Sequence, residues 1–147
     1  MTASVLLDAM VDTGNKIDNL WSMYIVVHLG LFWFFFLVHR PLLLLERAVA
    51  VFAYGVFAFI NGNALLSSYQ LLEALRRDLI GGFASELAKA PETMSRISAA
   101  DFSGRDELIM ITHLGAFTVV ALFLIFRNVI IRRYAQVFPA HAPSREG

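Results

Sequence analysis

Cysteine is absent from this sequence of 147 residues. Its absence excludes disulfide bonds, thiolate metal sites and a thiol nucleophile. Glycine-rich phosphate loops and the HExxH, GxSxG and EF-hand spacings are absent as well. The polar segments between the apolar ones are too short for a separate catalytic domain. The sequence therefore favours a protein without catalytic activity.

An excess of charge of one sign is also missing. Twelve basic residues balance twelve acidic residues, so no net field attracts nucleic acid or an anionic surface. The sequence is instead rich in apolar side chains: 58% of residues are hydrophobic, 13 are phenylalanine, and the mean hydropathy is +0.64. An ordinary soluble domain of this size is less apolar. We expect an integral membrane protein of a bacterial inner (plasma) membrane. Its partner is then the lipid bilayer, and no nucleic acid is expected.

Three apolar stretches are long enough to cross a membrane, since a spanning helix needs about 20 mostly apolar residues. They cover residues 20–38, 41–66 and 108–131. The segment before the first stretch is acidic, unlike the basic start of a cleaved signal peptide. The predicted fold class is an all-α integral membrane protein with three transmembrane helices in a single membrane domain, 1–147. An amphipathic extramembrane helix is expected between spans two and three.

The charges along the chain predict how these spans are oriented. Segment 1–19 holds three aspartates against one lysine, whereas the short connection after span one and the C-terminal end are rich in arginine. By the positive-inside rule, the N-terminus and the long segment 67–107 lie outside. The hairpin between spans one and two and the tail 132–147 then lie in the cytoplasm.

Local signals predict how the connecting segments fold. In the outer amphipathic N-terminal segment, a short helix over 4–10 is expected to break at Thr13-Gly14. Pro41 predicts a tight hairpin after span one and suits the first position of the second helix.

The segment between spans two and three has its own pattern. Leucines at three- and four-residue spacing predict an amphipathic helix over 71–90, kinked near Gly81-Gly82. This helix either continues span two or lies along the outer interface, against lipid or a partner. Residues 91–102 are expected to form a loop, and Ser103 is expected to cap the start of the third span.

The tripeptide His-Leu-Gly occurs in both spans one and three, at His28 and His113. In the predicted topology both helices run from outside to inside. His28 lies eight positions after the start of its span and His113 five, so the two imidazoles should differ in depth by about 4–5 Å. Gly30 and Gly115, two positions further on, would leave room for a flat macrocycle. The sequence therefore predicts that these imidazoles meet.

Polar residues at a similar level suggest two interpretations of this pair. Tyr24, Asn61 and Asn63 surround it, and histidine and asparagine often hydrogen-bond between helices as a lock. Alternatively, His28 and His113 ligate a b-type haem from both sides. A metal ion or a quinone-like headgroup held by the same cluster is the third candidate ligand. Ionisable residues inside a membrane are costly, and their presence there usually indicates a functional site. The sequence leaves these alternatives open.

Other features predict how the spans are anchored and packed. Trp21 fits an outer aromatic belt, and Arg127, Arg132 and Arg133 fit an inner anchor that contacts anionic lipid. Ala58-x-x-x-Gly62 is a pair of small residues that permits another helix to approach closely.

Two functions from different classes fit this sequence. The first is a non-catalytic subunit or anchor of a larger membrane complex, with electron transfer as one role of that complex. The second is a homo-oligomeric channel, pore-former or transport component with an outer polar vestibule. The polar stripe stops below the histidines, because Thr118 is the only polar residue from Leu114 to Phe126. A hydrophobic stretch of this length disfavours a water-filled pore.

Overall fold

The computed structural model of this chain is an all-helical bundle, described for residues 2–38 and 40–137. No strand occurs in those two ranges. Three of the helices are long and apolar enough to cross a membrane, which confirms the predicted all-α class and the three predicted candidate spans. The four helices are α1 (Ala3–Leu37), α2 (Leu44–Leu87), α3 (Pro91–Ala99) and α4 (Arg105–Val137).

Helix α1 is continuous from Ala3 to Leu37, so the predicted break at Thr13-Gly14 is wrong. The Thr13 hydroxyl donates to the Ala9 carbonyl one turn back, at 2.7 Å, and does not act as a cap. The Leu6 side chain is buried in a cluster with leucines of α2. This packing outweighs the turn propensity of Thr-Gly and keeps the N-terminal segment helical.

A tight hairpin joins α1 to α2, as Pro41 predicted, but Pro41 is not the first residue of α2. That helix begins at Leu44, three positions later. The Glu46 carboxylate accepts the Leu43 backbone N–H at 2.9 Å and the Arg40 guanidinium at 2.5 and 2.9 Å. A carboxylate in the first helical turn accepts hydrogen bonds from unpaired N–H groups and interacts favourably with the positive end of the helix dipole. These contacts fix the start of α2 at Leu44.

The expected amphipathic helix over 71–90 is not separate, because α2 continues through it to Leu87. The backbone departs from helical angles at Phe83 (φ −130°, ψ 24°), directly after the Gly81-Gly82 pair where a kink was expected. At 1.5 Å per residue, a helix of 44 residues is roughly 66 Å long. The hydrocarbon core of a bilayer is about 30 Å thick, so α2 is about twice as long as a crossing requires.

Residues 91–99, which were expected to be loop, form the short helix α3. Pro91 occupies the start of this helix, where its missing N–H costs nothing. Met94 and Ile97 pack against the leucine cluster formed by α1 and α2. This end of the molecule is therefore built from three helices with a shared apolar core. The buried residues of this core are Leu6, Leu75, Leu79 and Leu87.

A turn centred on Asp101 leads into α4. The hydroxyl and the backbone N–H of Ser103 donate to the Asp101 carboxylate at 2.6 and 2.9 Å, which lowers the pKa of that carboxyl. Ser103 therefore stabilises the turn before the helix, where a cap of α4 had been expected. Helix α4 begins at Arg105 and carries two acidic residues in its first turn.

Helices α1 and α4 both pack along α2 and run antiparallel to it. Near the α1–α2 hairpin, Arg47 of α2 donates to the Ile125 carbonyl of α4. Further along, Asn61 of α2 contacts both Leu20 of α1 and His113 of α4.

Candidate functional site

The His28 imidazole uses both of its ring nitrogens for hydrogen bonds. Nδ1 lies 2.6 Å from the Tyr24 carbonyl of its own helix, and Nε2 lies 2.5 Å from the Tyr54 hydroxyl of α2. A carbonyl oxygen accepts but cannot donate, so the proton is on Nδ1 and the Tyr54 hydroxyl donates to Nε2. A neutral imidazole is therefore fully satisfied here, and it joins α1 to α2.

Both ring nitrogens of the His113 imidazole also lie close to oxygen atoms, but here both oxygens are acceptors. Nδ1 lies 2.9 Å from the Ile109 carbonyl, and Nε2 lies 2.9 Å from Oδ1 of Asn61. The Asn61 amide nitrogen donates to the Leu20 carbonyl of α1 at 3.1 Å. A neutral imidazole has one N–H and satisfies one of its two acceptors, whereas a doubly protonated ring satisfies both. Through Asn61, this contact connects all three spans.

The Tyr24 ring packs against both imidazoles. Its centroid lies 4.1 Å from that of His28 and 4.5 Å from that of His113. The Tyr24 hydroxyl donates to the Thr112 carbonyl of α4 at 3.2 Å. This side chain bridges α1 and α4, and it completes a polar cluster that consists of Tyr24, His28, Tyr54, Asn61 and His113.

The two imidazoles come together in this cluster, but their Nε2 atoms face different levels of the bundle. Their partners on α2, Tyr54 and Asn61, are seven residues apart, which is about 10 Å along a helix. Both imidazole centroids lie within 4.5 Å of the Tyr24 ring centroid, so the rings themselves are closer together than these two partners. The predicted depth difference of about 4–5 Å stays a prediction.

The cluster does not fit a haem in this arrangement. Axial ligation requires one free nitrogen from each of His28 and His113, directed at a single iron. Both Nε2 atoms are engaged with α2, and the Tyr24 ring lies against both imidazoles. Among the residues that the structure describes, no group of three or more His, Cys, Asp or Glu side chains is placed to hold a metal ion.

A quinone-like headgroup has a cavity available but few donors within it. A cavity of about 450 Å³ between α2 and α4 is lined by Gly62, Asn63 and His113, among others. The His113 ring turns its carbon edge toward Gly62, since both of its nitrogens are used elsewhere. Asn63 is exposed and donates to the Phe59 carbonyl of its own helix at 2.7 Å. It therefore stands apart from the polar cluster with which it was grouped.

The glycines that allow close approach are on α2 and not in the His-Leu-Gly tripeptides. A Cβ at Gly30 or Gly115 would meet nothing within 4 Å. A Cβ at Gly62 would lie 3.3 Å from Cδ2 of His113, and one at Gly55 would lie 3.1 Å from the Phe117 ring. The absence of a side chain at Gly62 therefore allows His113 to reach Asn61.

We expect Gly62→Val to lower the free energy of unfolding by about 1–3 kcal/mol, the usual cost of overpacking. The added methyl groups would push the His113 ring away from Asn61. Gly115→Val is the matched control, because that glycine faces open space on α4. The measurement is reversible unfolding in mixed detergent micelles. Equal losses for the two variants would contradict the close contact at Gly62.

The predicted anchor residues have different environments. Trp21 is half-buried and donates to the Tyr69 hydroxyl at 3.2 Å. Arg132 and Arg133 are exposed. Arg127 is only 2% exposed, and its guanidinium donates to the carbonyls of Val38 and Arg40. It therefore holds the end of α1, where carbonyl groups lack intrahelical partners, and does not face lipid headgroups.

Asn128, next to Arg127, was not anticipated from the sequence. Its side-chain amide pairs with both the N–H and the carbonyl of Leu42, at 3.1 and 2.9 Å. Together with Arg127, it fastens α4 to the α1–α2 hairpin. A polar pair in the last part of an apolar run is the signal that was available for this contact.

Tyr54 was also missed, since one tyrosine within an apolar run resembles an ordinary core residue. The signal was the hairpin register. In an antiparallel pair of helices joined near Pro41, His28 and Tyr54 are about equally far from the turn and so face each other.

We expect Tyr54→Phe to lower the free energy of unfolding by about 1–2 kcal/mol, because His28 Nε2 loses its donor in an apolar environment. In a His28→Phe background the same substitution should cost much less. Unfolding of the four proteins in one detergent mixture gives the comparison. A cost that is independent of residue 28 would contradict the hydrogen bond.

The polar cluster can thus join three helices, and it exposes no free nucleophile or ligand nitrogen of either histidine. No protein-family model, curated protein or solved structure matches this chain.

Proposed function

We propose that this chain is a small non-catalytic integral membrane subunit or anchor of a larger membrane complex, in a bacterial inner membrane. The observation that carries the proposal is that every ring nitrogen of His28 and of His113 lies within 2.9 Å of an oxygen atom of the bundle, so none of the four is open to a ligand. Imidazoles used in this way lock the bundle. The activity of the protein then depends on its surfaces, and electron transfer would be carried out by its partners.

Those surfaces are large for so small a chain. In an apolar stretch of 18 residues in α1, 11% of the residues are buried. In the corresponding stretches of α2 and α4, 22% of the residues are buried. The remaining apolar surface is covered by lipid or by other membrane helices. The helices also continue beyond the membrane as a compact projection built around Leu6 and Leu79, which offers a second, water-exposed surface to partner subunits.

The proposed orientation places this projection outside and the α1–α2 hairpin in the cytoplasm. The arginines at the hairpin end support it: Arg40, Arg127, Arg132 and Arg133 lie there, with Glu46 as a carboxylate that pairs with Arg40. Because the chain has no native cysteine, single cysteines introduced at Lys89 and Arg133 test the orientation directly. An impermeant thiol reagent should label Lys89→Cys in intact cells and Arg133→Cys only after lysis. The reverse pattern would overturn the orientation.

A channel has less support in this geometry. Below the polar cluster, the Thr118 hydroxyl donates to the Leu114 carbonyl of its own helix at 2.8 Å, so it offers little to a water column. The neighbouring buried residues Val120 and Leu124 pack with Tyr54 in an apolar cluster. A pore through this region would require the bundle to open.

The assembly state tests the proposed function. The chain should be extracted from its native membrane in mild detergent with a C-terminal affinity tag, and analysed by native mass spectrometry. We expect it in a fixed ratio with at least one different polypeptide. A monomer or a pure homo-oligomer that conducts ions in liposomes would contradict the proposal and favour the channel.

A visible absorption spectrum of the same preparation distinguishes two roles of His28 and His113, the interhelical lock and haem ligation. Protein from cells supplied with haem precursor should show no Soret band. A bis-histidine spectrum that is lost in both His28→Ala and His113→Ala would show that the cluster rearranges to bind haem and would overturn its role as a lock.

A further inference from the structure

An apolar groove runs along α2 and α4 on the side facing the membrane. Its volume is about 920 Å³, and a cavity of about 450 Å³ continues it past Gly55, Phe59 and Phe117, which line both. The α2 residues that line the larger groove extend from Leu44 to Ile60. This corresponds to roughly 24 Å of helix, more than the ~15 Å depth of one leaflet. The groove is long enough for an extended acyl chain.

Arg47 lies at the hairpin end of this groove with an unfilled donor. Its Nη1 donates to the Ile125 carbonyl at 2.8 Å. Its Nε is buried and has no hydrogen-bond partner. An unpaired buried donor, and more so a charged one, is costly. Because Nε is itself enclosed, a ligand in the groove would be met by the Nη atoms of the same guanidinium.

The charge around Arg47 is uncompensated within the part of the chain that the structure describes. The Glu46 carboxylate is occupied by Arg40 at 2.5 Å, and Arg127 brings a further positive charge bound only to backbone carbonyls. No ion pair involving Arg47 or Arg127 is found among residues 2–38 and 40–137. The start of α2 adds the positive end of a helix dipole. An anion is therefore the ligand that this end of the groove attracts.

From the apolar groove and the cation at its end, we propose that the groove binds one anionic phospholipid, with its phosphate on Arg47 and an acyl chain along α2. Arginine suits phosphate because its planar group donates two parallel hydrogen bonds. The phosphates of a bilayer lie at the level of the helix ends, which is where Arg47 stands. A lipid thus supplies the anion and the apolar chain in one molecule.

Other occupants fit this groove less well. A helix of a partner would need a carboxylate placed opposite Arg47, whereas every anionic phospholipid carries its phosphate at this level. Two copies of this chain, related by a two-fold axis along the membrane normal, would bring the two Arg47 side chains together. Like charges repel at such a contact.

Native mass spectrometry of the full chain in nanodiscs tests this site. Nanodiscs with equal amounts of dioleoyl phosphatidylglycerol and dioleoyl phosphatidylcholine provide the probe. Wild-type protein should retain the phosphatidylglycerol about fivefold more, the factor for one basic side chain near anionic lipid. Arg47→Gln should lose this preference, and Arg47→Lys should keep part of it. Arg105→Gln, an exposed arginine at the opposite end of the bundle, is the matched control and should behave as wild type.

A variant that fills the groove tests the acyl chain separately. Ala48 lines the groove, and Ala48→Trp should reduce the retention of both lipids. Circular dichroism and melting of each variant show whether the bundle is folded. Equal retention of the two lipids by wild type, or an unchanged preference in Arg47→Gln, would overturn the proposal. A dimer that Ala48→Trp dissociates would overturn it too and would make the groove an interface between copies.

Discussion

Asn61→Leu is expected to lower the free energy of unfolding by about 1–3 kcal/mol. Asn61 is buried, and its amide bonds to α1 through the Leu20 carbonyl and to α4 through His113. Interhelical hydrogen bonds in membranes contribute roughly 0.6–2 kcal/mol each, and this substitution removes two of them. It also leaves His113 Nε2 without a partner among apolar side chains. Reversible unfolding in mixed micelles, followed by tryptophan fluorescence, measures the loss.

Asn63→Leu provides the control for that measurement. It is the same substitution two residues further along α2, at an exposed asparagine that bonds to its own helix. Any gain from replacing an amide by an apolar side chain in a membrane is therefore present in both variants. We expect Asn63→Leu to be neutral or stabilising. If the two variants unfold alike, Asn61 does not connect the helices.

Arg127→Met should cost a similar amount, about 1–3 kcal/mol. The substitution leaves the carbonyls of Val38 and Arg40 unpaired where water has little access, since Arg127 is 2% exposed. An unsatisfied buried group costs about 1–3 kcal/mol. Removal of the buried charge offsets part of the loss, because an arginine in a membrane is itself costly. The α1–α2 hairpin should also detach from α4, which hydrogen exchange at residues 38–43 would detect as faster exchange.

Arg132→Met is the matched control for Arg127→Met. It removes an exposed arginine from the same helix, and we expect a change within about 0.5 kcal/mol. A larger effect of Arg132→Met than of Arg127→Met would mean that contact with lipid, and not the bonds to the hairpin, sets the contribution of these arginines.

The apolar runs predicted the three spanning helices because the length and composition of a stretch are sufficient for that purpose. The continuation of α2 to Leu87 was one of two arrangements that the leucine spacing left open, but the local signals did not predict that α1 runs unbroken from Ala3 to Leu37. Thr13-Gly14 reads locally as a stop, yet Leu6 on one side of it packs against Leu79 of α2. Packing partners more than 70 residues apart in the sequence overrode the local signal. Similarly, Met94 and Ile97 pack against the same cluster. This packing stabilises a helix in a segment whose sequence resembles a loop.

In the candidate site, the repeated tripeptide was enough to single out His28 and His113. Their partners were harder to find, because the sequence does not specify which face of a helix meets which neighbour. Tyr54 is indistinguishable from a core tyrosine until the hairpin register is applied. The acceptors of Arg127 are backbone carbonyls. Every residue has such a group, so the sequence does not indicate which of them accept. The ligation hypothesis also depended on orientation, since one nitrogen of each ring had to be free and directed at the same metal ion.

The coupling energy between His113 and Asn61 tests the central claim, that the imidazoles lock the helices together. A double-mutant cycle of His113→Phe and Asn61→Leu, measured by unfolding in one detergent mixture, isolates that energy. We predict a favourable coupling of roughly 0.6–2 kcal/mol. A coupling indistinguishable from zero in folded variants would contradict the claim and would release His113 for another role.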